Sequence, residues 1–400
     1  GFLVRLATRA QNIGASPTLA MNARAKEMKR QGIDVLSFTV GEPDFNTPAH
    51  IAAAGIEAIR EGFTRYTPAA GIPELKEAIC MKLDRDNELQ YEPADVIVSN
   101  GAKHSIYNAL QALVDDGDEV IVPAPYWVSY PEMIKLNGGT PVIIPTAAED
   151  GFKLRPEQLQ EHITDRTKAI FINSPNNPTG AVYSRPELES LADILVPRGI
   201  VIIADEVYEK LLYDGAVFTS VAALGPEVKE HTVTVNGVSK TYAMTGWRIG
   251  YAAAPRVLAQ AMANIQSHAT SNPNAIAQKA AVVALTGDQT PVQKMLTEFT
   301  RRREQMVKGI NAIPGMSCCK PEGAFYIFAQ VASLFGKTIR ERKINGSVDL
   351  AEVLLTEGHV ALVPGAAFGD DRFVRFSYAT SLDVIEKGLL RVKDVVAEAK

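Results

Sequence analysis

Short apolar runs alternate along the chain with longer segments in which apolar residues recur at helical spacing. The short runs are rich in β-branched residues and are bounded by Gly, Pro, Asn or Asp, as is typical of buried strands. They lie at residues 96–98, 119–122, 141–144, 169–172, 201–204 and 232–235. Amphipathic stretches such as 105–114 and 186–195 separate several of them. This alternation predicts an α/β fold in which helices cover both faces of a mainly parallel sheet.

The pattern changes near residue 300, where a basic segment at 301–303 leads into mixed helical and strand patterns. These patterns lie at 324–328, 351–357, 360–363 and 373–377, and a helix is predicted from residue 382 to the end. We therefore predict a large domain at residues 46–299 and a smaller α+β domain at residues 300–400. Residues 1–45 are expected to form an N-terminal arm and part of the small domain.

The residues that follow each predicted strand are informative, because ligands bind beyond the carboxyl ends of the strands in sheets of this kind. Polar residues follow four of the runs, at 99–103, 173–180, 205–208 and 236–240. One rim of the sheet is therefore expected to receive a glycine turn, an amide, a carboxylate, a phenol and a lysine.

Composition excludes several classes of protein. The chain has 400 residues and a formal net charge of -5, without a basic block, which argues against a nucleic acid or an anionic membrane as the main partner. No apolar run approaches the roughly 20 residues that span a bilayer. Residues 1–9 lack the pattern of a signal peptide. The three cysteines form neither a disulfide framework nor a metal-binding pattern, so we expect a cytoplasmic protein without a metal site.

Lys240 and Asp205 suggest carbonyl chemistry. A lysine at the end of a buried strand can use an amine of lowered pKa to form a Schiff base, whereas a surface lysine is the alternative. A carboxylate at the tip of the 201–204 strand can keep a pyridine nitrogen protonated, so that the ring withdraws electrons from a substrate Cα. An N-cap of the next helix is the alternative for Asp205.

Other rim residues can hold a flat phosphorylated ligand. Tyr208, three residues after Asp205, and Asn177 can both hydrogen-bond an oxygen on the ring, although each is also suited to packing or to a turn. The start of the helix at Gly101 and Ala102 suits a phosphate through its free amides and dipole. Arg248 can add a bidentate contact to the same group.

Two further residues have open alternatives. Trp127 can stack on a flat ring or pack in the core. Arg375 lies among strand residues and needs a partner, which is either a substrate carboxylate or a structural ion pair.

The motifs on these strands resemble those of class I aminotransferases of pyridoxal-phosphate fold type I. The matching segments are Gly-Glu-Pro-Asp-Phe at 41–45, Tyr-Thr-Pro-Ala-Ala-Gly at 66–71, Ser-Pro-Asn-Asn-Pro-Thr-Gly at 174–180, Ala-Asp-Glu-Val-Tyr at 204–208, Ser-Lys-Thr-Tyr-Ala-Met-Thr-Gly-Trp-Arg-Ile-Gly-Tyr at 239–251 and Arg-Phe-Ser-Tyr-Ala-Thr at 375–380. They occur in the family's order and cover nearly the whole chain. The resemblance implies a large domain with a mainly parallel seven-stranded sheet, a smaller α+β domain and pyridoxal 5′-phosphate as cofactor.

The resemblance also implies a role for each matching residue. Lys240 would carry the cofactor as a Schiff base and act as general base and acid. The other cofactor-binding residues would be Tyr66, Gly101, Ala102, Trp127, Asn177, Asp205, Tyr208, Ser239 and Arg248. Tyr66 would reach the phosphate of the partner subunit's cofactor, which implies a homodimer with shared active sites. Many relatives have a phosphate-binding serine three residues before the lysine, where this chain has Gly237, and Ser239 or backbone amides would compensate.

The substrate expectation rests on a subgroup of the family. The chain is similar to bacterial aspartate aminotransferases that include aspartate/prephenate enzymes, which carry Gly-Gly-Lys or Gly-Ala-Lys after the phosphate strand. Arg375 would then bind the α-carboxylate and Lys103 the distal carboxylate, with Gly41, Trp127 and Asn177 also lining the substrate site. We expect amino transfer between L-aspartate and 2-oxoglutarate, with prephenate as a further acceptor. A Lys103 that only caps a surface helix is the alternative.

Four alternative functions make different demands on the sequence. An aminotransferase for aromatic or other neutral amino acids and a β-lyase would both use the same lysine and aspartate. A cofactor-sensing regulator would need a DNA-binding module, for which the chain has neither a basic domain nor room. A nicotinamide-dependent oxidoreductase is disfavoured, because no G-x-G-x-x-G follows an early strand.

Overall fold

The computed structural model describes residues 3–400, so Gly1 and Phe2 of the predicted N-terminal arm lie outside the described residues. The α-helices of this part of the chain are α1 Thr8–Gln11, α2 Pro17–Arg30, α3 Ala49–Arg60, α4 Pro73–Asn87, α5 Ala102–Leu113, α6 Ser129–Leu136, α7 Pro156–His162, α8 Arg185–Leu195, α9 Pro226–Lys229, α10 Arg256–Ala269, α11 Ala275–Thr286, α12 Thr290–Asn311, α13 Ser347–Thr356 and α14 Leu382–Val396.

The strands are β1 Leu36–Ser37, β2 Val96–Ser99, β3 Glu119–Ala124, β4 Thr140–Pro145, β5 Thr167–Asn173, β6 Val201–Asp205, β7 Thr232–Gly237, β8 Gly250–Ala253, β9 Tyr326–Gln330, β10 Thr338–Ile339, β11 Arg342–Lys343, β12 Val360–Ala361, β13 Val363–Pro364 and β14 Phe373–Ser377. The structure confirms all six runs first predicted as strands, most of which extend by one or two residues beyond the predicted ends.

The large sheet has the order β2-β8-β7-β6-β5-β3-β4. All neighbouring pairs are parallel except those of β8, which runs antiparallel to both β2 and β7. The residue pattern did not predict β8, because Gly-Tyr-Ala-Ala contains no β-branched residue. The mainly parallel, seven-stranded sheet that the resemblance implied is confirmed.

Helices bury both faces of the large sheet. Alternate strand residues point to opposite faces, so Ile97 packs with Ile106 of α5 while the adjacent Val98 packs with Leu75 of α4. Helices α5, α6 and α10 cover the first face, whereas α4, α11, α7 and α8 contribute to the clusters on the second. The three layers leave the strand ends as the open edge of the sheet.

The C-terminal part forms a second sheet with the order β13-β14-β9, which is antiparallel throughout. The N-terminal segment packs onto this part: β1 pairs in parallel with β12, and Met21, Ala25 and Phe38 join its core. These contacts accord with an arm that belongs to the small domain. The division of the chain at residues 46 and 300 stays a prediction.

None of the helices within residues 3–400 is long and apolar enough to cross a membrane.

Phe38 fastens the N-terminal segment to the C-terminal part. Its side chain is fully buried, and its ring meets that of Phe376 edge-on with centroids 5.6 Å apart. Its backbone accepts a hydrogen bond from the amide of Ser377 and donates one to the carbonyl of Ala361. The segment that precedes residue 41 is therefore held by both packing and backbone pairing.

We expect Phe38→Ala to lower the free energy of unfolding by about 3–5 kcal/mol, since it leaves a ring-sized cavity. The measurement is the midpoint of urea unfolding. Val217→Ala serves as control, because Val217 is 75% exposed. Equal midpoints for the two variants would show that the segment does not depend on this ring.

Candidate active site

Loops from five strands meet at one rim of the large sheet. The carboxyl ends of β2, β5, β6 and β7 lie on this rim, because these strands run in the same direction. Strand β8 runs the opposite way, so it begins there instead of ending there. Arg248, two residues before β8, is consequently brought to the same rim as Lys240.

Lys240 follows β7 and points into the protein. Its Nζ donates a hydrogen bond of 2.5 Å to the carbonyl oxygen of Gly41 and lies 5.9 Å from the ring centroid of Tyr208. Burial lowers the pKa of Lys240 to about 8, and the charges of Arg375 and Arg248 act in the same direction. A neutral, nucleophilic amine is therefore accessible near neutral pH.

Asp205 ends β6 with its carboxylate fully enclosed. Its Oδ2 accepts a 2.5 Å hydrogen bond from the hydroxyl of Tyr130, and its Oδ1 accepts one from the amide of Val207. Burial raises the pKa of Asp205, while the bond from Tyr130 opposes that rise. Tyr130 stacks on Phe171 with ring centroids 4.2 Å apart, which fixes the direction of its hydroxyl. Asp205 thus faces the site with acceptor capacity for another donor.

The loop after β5 is held by Asn173. Its Oδ1 accepts from the amide of Asn177 at 2.9 Å, and its Nδ2 donates to the carbonyl of Asp205 at 3.0 Å. Asn177 is buried, and its position beside β6 follows from these two bonds.

Arg375 is the central residue of β14 and its side chain is fully buried. It donates 2.9 Å to Oδ1 of Asn177 and 3.0 Å to the carbonyl of Thr39, and its Cζ lies 4.3 Å from the ring centroid of Tyr326. Among the described residues, its Nε has no hydrogen-bond partner. No carboxylate of residues 3–400 forms an ion pair with Arg375. The structure therefore does not support the structural ion pair that the sequence left open as an alternative. A buried guanidinium in such surroundings favours an anionic ligand.

Tyr208 and Tyr326 connect the two sheets. Tyr208 lies in the turn after β6 and Tyr326 begins β9, and their hydroxyl oxygens are 2.7 Å apart. Both rings are buried and meet edge-on. The phenol of Tyr208 is therefore held close to Arg375, which lies over the ring of Tyr326.

The opposite end of the site suits an anion. Helix α5 begins at Ala102 without a side-chain cap, so its first amides are available to a ligand. Gly101 has φ +87°, and a Cβ there would collide with the guanidinium of Arg248. Arg248 donates to the carbonyls of Asn100 and Thr245, which fixes the cation over the start of the helix.

The structure gives a physical reason for Gly237. A Cβ at this position would lie 3.1 Å from both the Cα of Gly250 and the carbonyl oxygen of Ile249. A side chain there, such as the serine of many relatives, would therefore require β8 to move away from β7 by a few tenths of an ångström.

Lys103 and Trp127 lie together at the open side of the rim. The Nζ of Lys103 is 4.9 Å from the ring centroid of Trp127. Partial burial and the charge of Arg248 lower the pKa of Lys103. An anionic group would be attracted to this corner.

The remaining predicted residues differ in location. Gly41 contacts Lys240 directly, and Ser239 is half-buried beside it. Tyr66 is 91% exposed and none of its side-chain atoms hydrogen-bonds within residues 3–400, so one chain alone does not bring it into the site.

Sequence reasoning missed three residues that shape the site. Tyr130 lies on an amphipathic helix and reads as a core residue. Tyr326 lies in an apolar strand. Asn173 ends β5, and the sequence pointed to Asn177 in the loop that follows it. The available signal was the polar atom that each carries into an otherwise apolar element, since such atoms need partners when buried.

The chemistry of this arrangement follows from its charges. The charges of a buried carboxylate, Asp205, and of two arginines, Arg248 and Arg375, act on the nucleophilic amine of Lys240. This group of residues, with the uncapped start of α5, can bind a dianionic ring compound together with a carboxylate substrate, and can move a proton through the amine.

Comparisons with known proteins agree with this chemistry. A family model described as aminotransferase class I and II matches residues 33–392. An aspartate aminotransferase of Geobacillus stearothermophilus is 50% identical over 393 residues, which are 97% of this chain and 98% of that protein. A probable aspartate/prephenate aminotransferase of Aquifex aeolicus is 48% identical over 395 residues, covering 98% and 99% of the two chains. The solved structure of an aspartate aminotransferase from Rhizobium meliloti superimposes with a TM-score of 0.96, at 45% identity and full coverage of both chains.

The lowered pKa of Lys240 can be measured in the ligand-free protein. Its acetylation by limiting acetic anhydride should rise with pH through a midpoint near 8, because only the neutral amine reacts. Exposed lysines of the same sample provide the comparison, with an ordinary midpoint of about 10.4. Peptide mass spectrometry reports each lysine separately. A midpoint for Lys240 equal to that of the exposed lysines would contradict the effect of burial.

Proposed function

The chain belongs to the class I and II aminotransferases, pyridoxal-phosphate-dependent enzymes, and we propose that it transfers the amino group of L-aspartate to 2-oxoglutarate. The observation that carries the substrate proposal is a pair of cations: buried Arg375, whose charge acts on Lys240, and Lys103, which lies beside Trp127. A dicarboxylic substrate uses both of them. The names of the Geobacillus and Rhizobium relatives support aspartate as the donor.

The described residues fit the cofactor. Pyridoxal phosphate, when bound, supplies an aldehyde for amines and a ring that withdraws electrons from the substrate Cα. We assign its phosphate to the uncapped start of α5, with Gly101, Ala102, Ser239 and Arg248. The room that Gly101 leaves beside Arg248 supports this assignment.

The ring end is assigned to the carboxylate and phenol of the rim. We propose that Asp205 accepts a hydrogen bond from the pyridine nitrogen, helped by Tyr130, which already donates to its other oxygen. Asn177 and Tyr208 would bind the ring hydroxyl, and Trp127 would stack on the ring. The enclosure of Asp205 supports its role, because a buried carboxylate interacts strongly with a cation.

Lys240 moves the proton in this proposal. It would hold the cofactor aldehyde covalently, and as a free amine it would take a proton from the substrate Cα and return one on the product side. Its lowered pKa supports the role of a general base near neutral pH. The carbonyl of Gly41 orients the amine, as their hydrogen bond indicates.

Arg375 binds the α-carboxylate of the substrate. Its unpaired Nε supports this role, since a carboxylate would satisfy the last donor of a fully buried guanidinium. Thr39 and Asn177 restrict the group to one orientation. Lys103 would bind the distal carboxylate beside Trp127. Prephenate is also a dicarboxylate, and the name of the Aquifex relative supports it as a second acceptor.

We further propose a homodimer with shared active sites, in which Tyr66 reaches the phosphate of the partner's cofactor. The exposure of Tyr66 supports this, since it leaves the side chain available to contact another subunit. The cytoplasm is the proposed location, since all three cysteines are free, as is usual in a reducing compartment.

Single-turnover spectra test the proposed function. Holoenzyme mixed with aspartate, without an oxo acid, should lose the visible absorbance of the lysine-bound cofactor roughly 10- to 100-fold faster than with alanine or phenylalanine, because one further charge-assisted contact is worth about 1.5–3 kcal/mol. Stopped-flow absorbance is the measurement. Faster loss with alanine or phenylalanine would support aminotransferase activity but would contradict aspartate as the preferred donor. Release of ammonia with an oxo acid, without an acceptor, would indicate a β-lyase.

Lys103→Ala tests the distal site. We expect kcat/KM for aspartate to fall roughly 10- to 100-fold and that for phenylalanine to change less than about threefold, because only aspartate has the second carboxylate. Steady-state rates with both donors are compared, and Lys337→Ala, at an exposed position, is the control. An equal fall of kcat/KM for both donors would contradict a role of Lys103 in recognising the distal carboxylate.

A further inference from the structure

The turn at residues 205–209 presents two faces. Asp205 and Tyr208, which we call the site face, point toward the active site and contact Tyr130 and Tyr326. Glu206 and Glu209, which we call the anchor face, point to the other side of the turn. Each face consists of residues three apart, as expected for a helical turn. The orientation of the site face therefore depends on what holds the anchor face.

Glu209 is held by a buried ion pair. Its Oε1 accepts from the Nζ of Lys82 near the end of α4, and both side chains are 4% exposed. Asn87, the last residue of α4, donates to the second oxygen of Glu209 at 2.6 Å and accepts from Lys82 at 2.7 Å. All three polar groups are satisfied by each other, so the end of α4 is locked to the turn.

Glu206 extends the same network. Its two oxygens accept from the hydroxyl of Ser220 at 2.9 Å and from the amide of Val221 at 3.0 Å. Ser220 in turn accepts from Asn87 at 2.7 Å, which joins the contacts of Glu206 to those of Glu209. Burial raises the pKa of Glu206 to about 8, and the charge of Glu209 adds to that rise. Two separate parts of the chain, residues 82–87 and 220–221, thus converge on the anchor face.

Stability alone does not account for an ion pair at this position. Burying two charges costs much of what their attraction returns, and apolar side chains of similar volume are often as stable. The charged network restricts the orientation of the turn, because hydrogen bonds require specific distances and angles. Apolar contacts would allow several orientations. The site face requires a fixed orientation, since Asp205 and Tyr208 act through hydrogen bonds.

We propose that Lys82 and Glu209 are positioning residues of the active site. Their ion pair, completed by Asn87, fixes the anchor face and so aims the site face at the cofactor. This inference rests on the proposed cofactor contacts of Asp205 and Tyr208. Within residues 3–400, the side chains of Lys82 and Glu209 hydrogen-bond only each other and Asn87, none of which is assigned to the cofactor or the substrate.

The double variant Lys82→Met/Glu209→Gln removes both charges and keeps similar side-chain volumes. In the holoenzyme we expect the dissociation constant of pyridoxal phosphate to rise about tenfold or more, and the pH midpoint of the visible absorbance change to shift by about half a unit or more, since both depend on hydrogen bonds of the site face. Equilibrium dialysis and spectrophotometric titration measure the two quantities.

Val392→Ala is the matched control. Val392 is fully buried on α14, so the variant lowers the melting temperature without touching the turn. We expect it to leave the dissociation constant and the midpoint unchanged. If the double variant does not fold, Ser220→Ala provides the milder test, with a rise of about threefold in the dissociation constant from the loss of one hydrogen bond.

Two results would overturn the proposal: parental values of both quantities in the folded double variant or in Ser220→Ala, or an equal change in the Val392→Ala control. Failure of the proposed function would be distinct from these. It would be recognised in the parent itself, as a protein that binds pyridoxal phosphate without the visible absorbance of a lysine-bound cofactor.

Discussion

The buried guanidinium of Arg375 is the constraint on which the architecture of the site depends. It belongs to the small sheet, yet it donates to the loop after β5 and to the N-terminal segment. Because a buried cation without an anion is unfavourable, these three parts of the chain must come together and must leave space for a carboxylate. The packing of Phe38 against Phe376 serves the same end, since it holds the segment that supplies the carbonyl of Thr39.

The antiparallel strand β8 is a second constraint, because it places a cation near the reactive amine. It brings Arg248 to the rim, where the charge of Arg248 suits an anion and also lowers the pKa of Lys240. Burial is the larger cause of that lowering, and the carboxylates of Glu42 and Asp205 oppose it. The amine therefore keeps a pKa of about 8 through a balance of groups drawn from both sheets.

Much of this site followed from the sequence, because parallel strands deliver the residues after them to one rim. Lys240, Asp205, Asn177 and the start of α5 are brought together for that reason. Contacts that depend on distant partners did not follow. The bond from Tyr130 to Asp205 joins residues 75 positions apart, and the one between Tyr208 and Tyr326 spans 118. No periodicity records which buried hydroxyl meets which acceptor, so tertiary packing alone determines such pairs.

The turn at 205–209 shows why a short motif can carry so much constraint. Each of its polar side chains is buried, and those of one face act only if the other face is fixed. Replacing Glu209 alone by glutamine would leave Lys82 buried without the carboxylate that pairs with it, which costs several kcal/mol in comparable cases. The acidic residues of this motif are therefore coupled to a lysine on α4 that lies 127 positions away. Positions that do not contact the ligand can therefore tolerate as few residue types as positions that do.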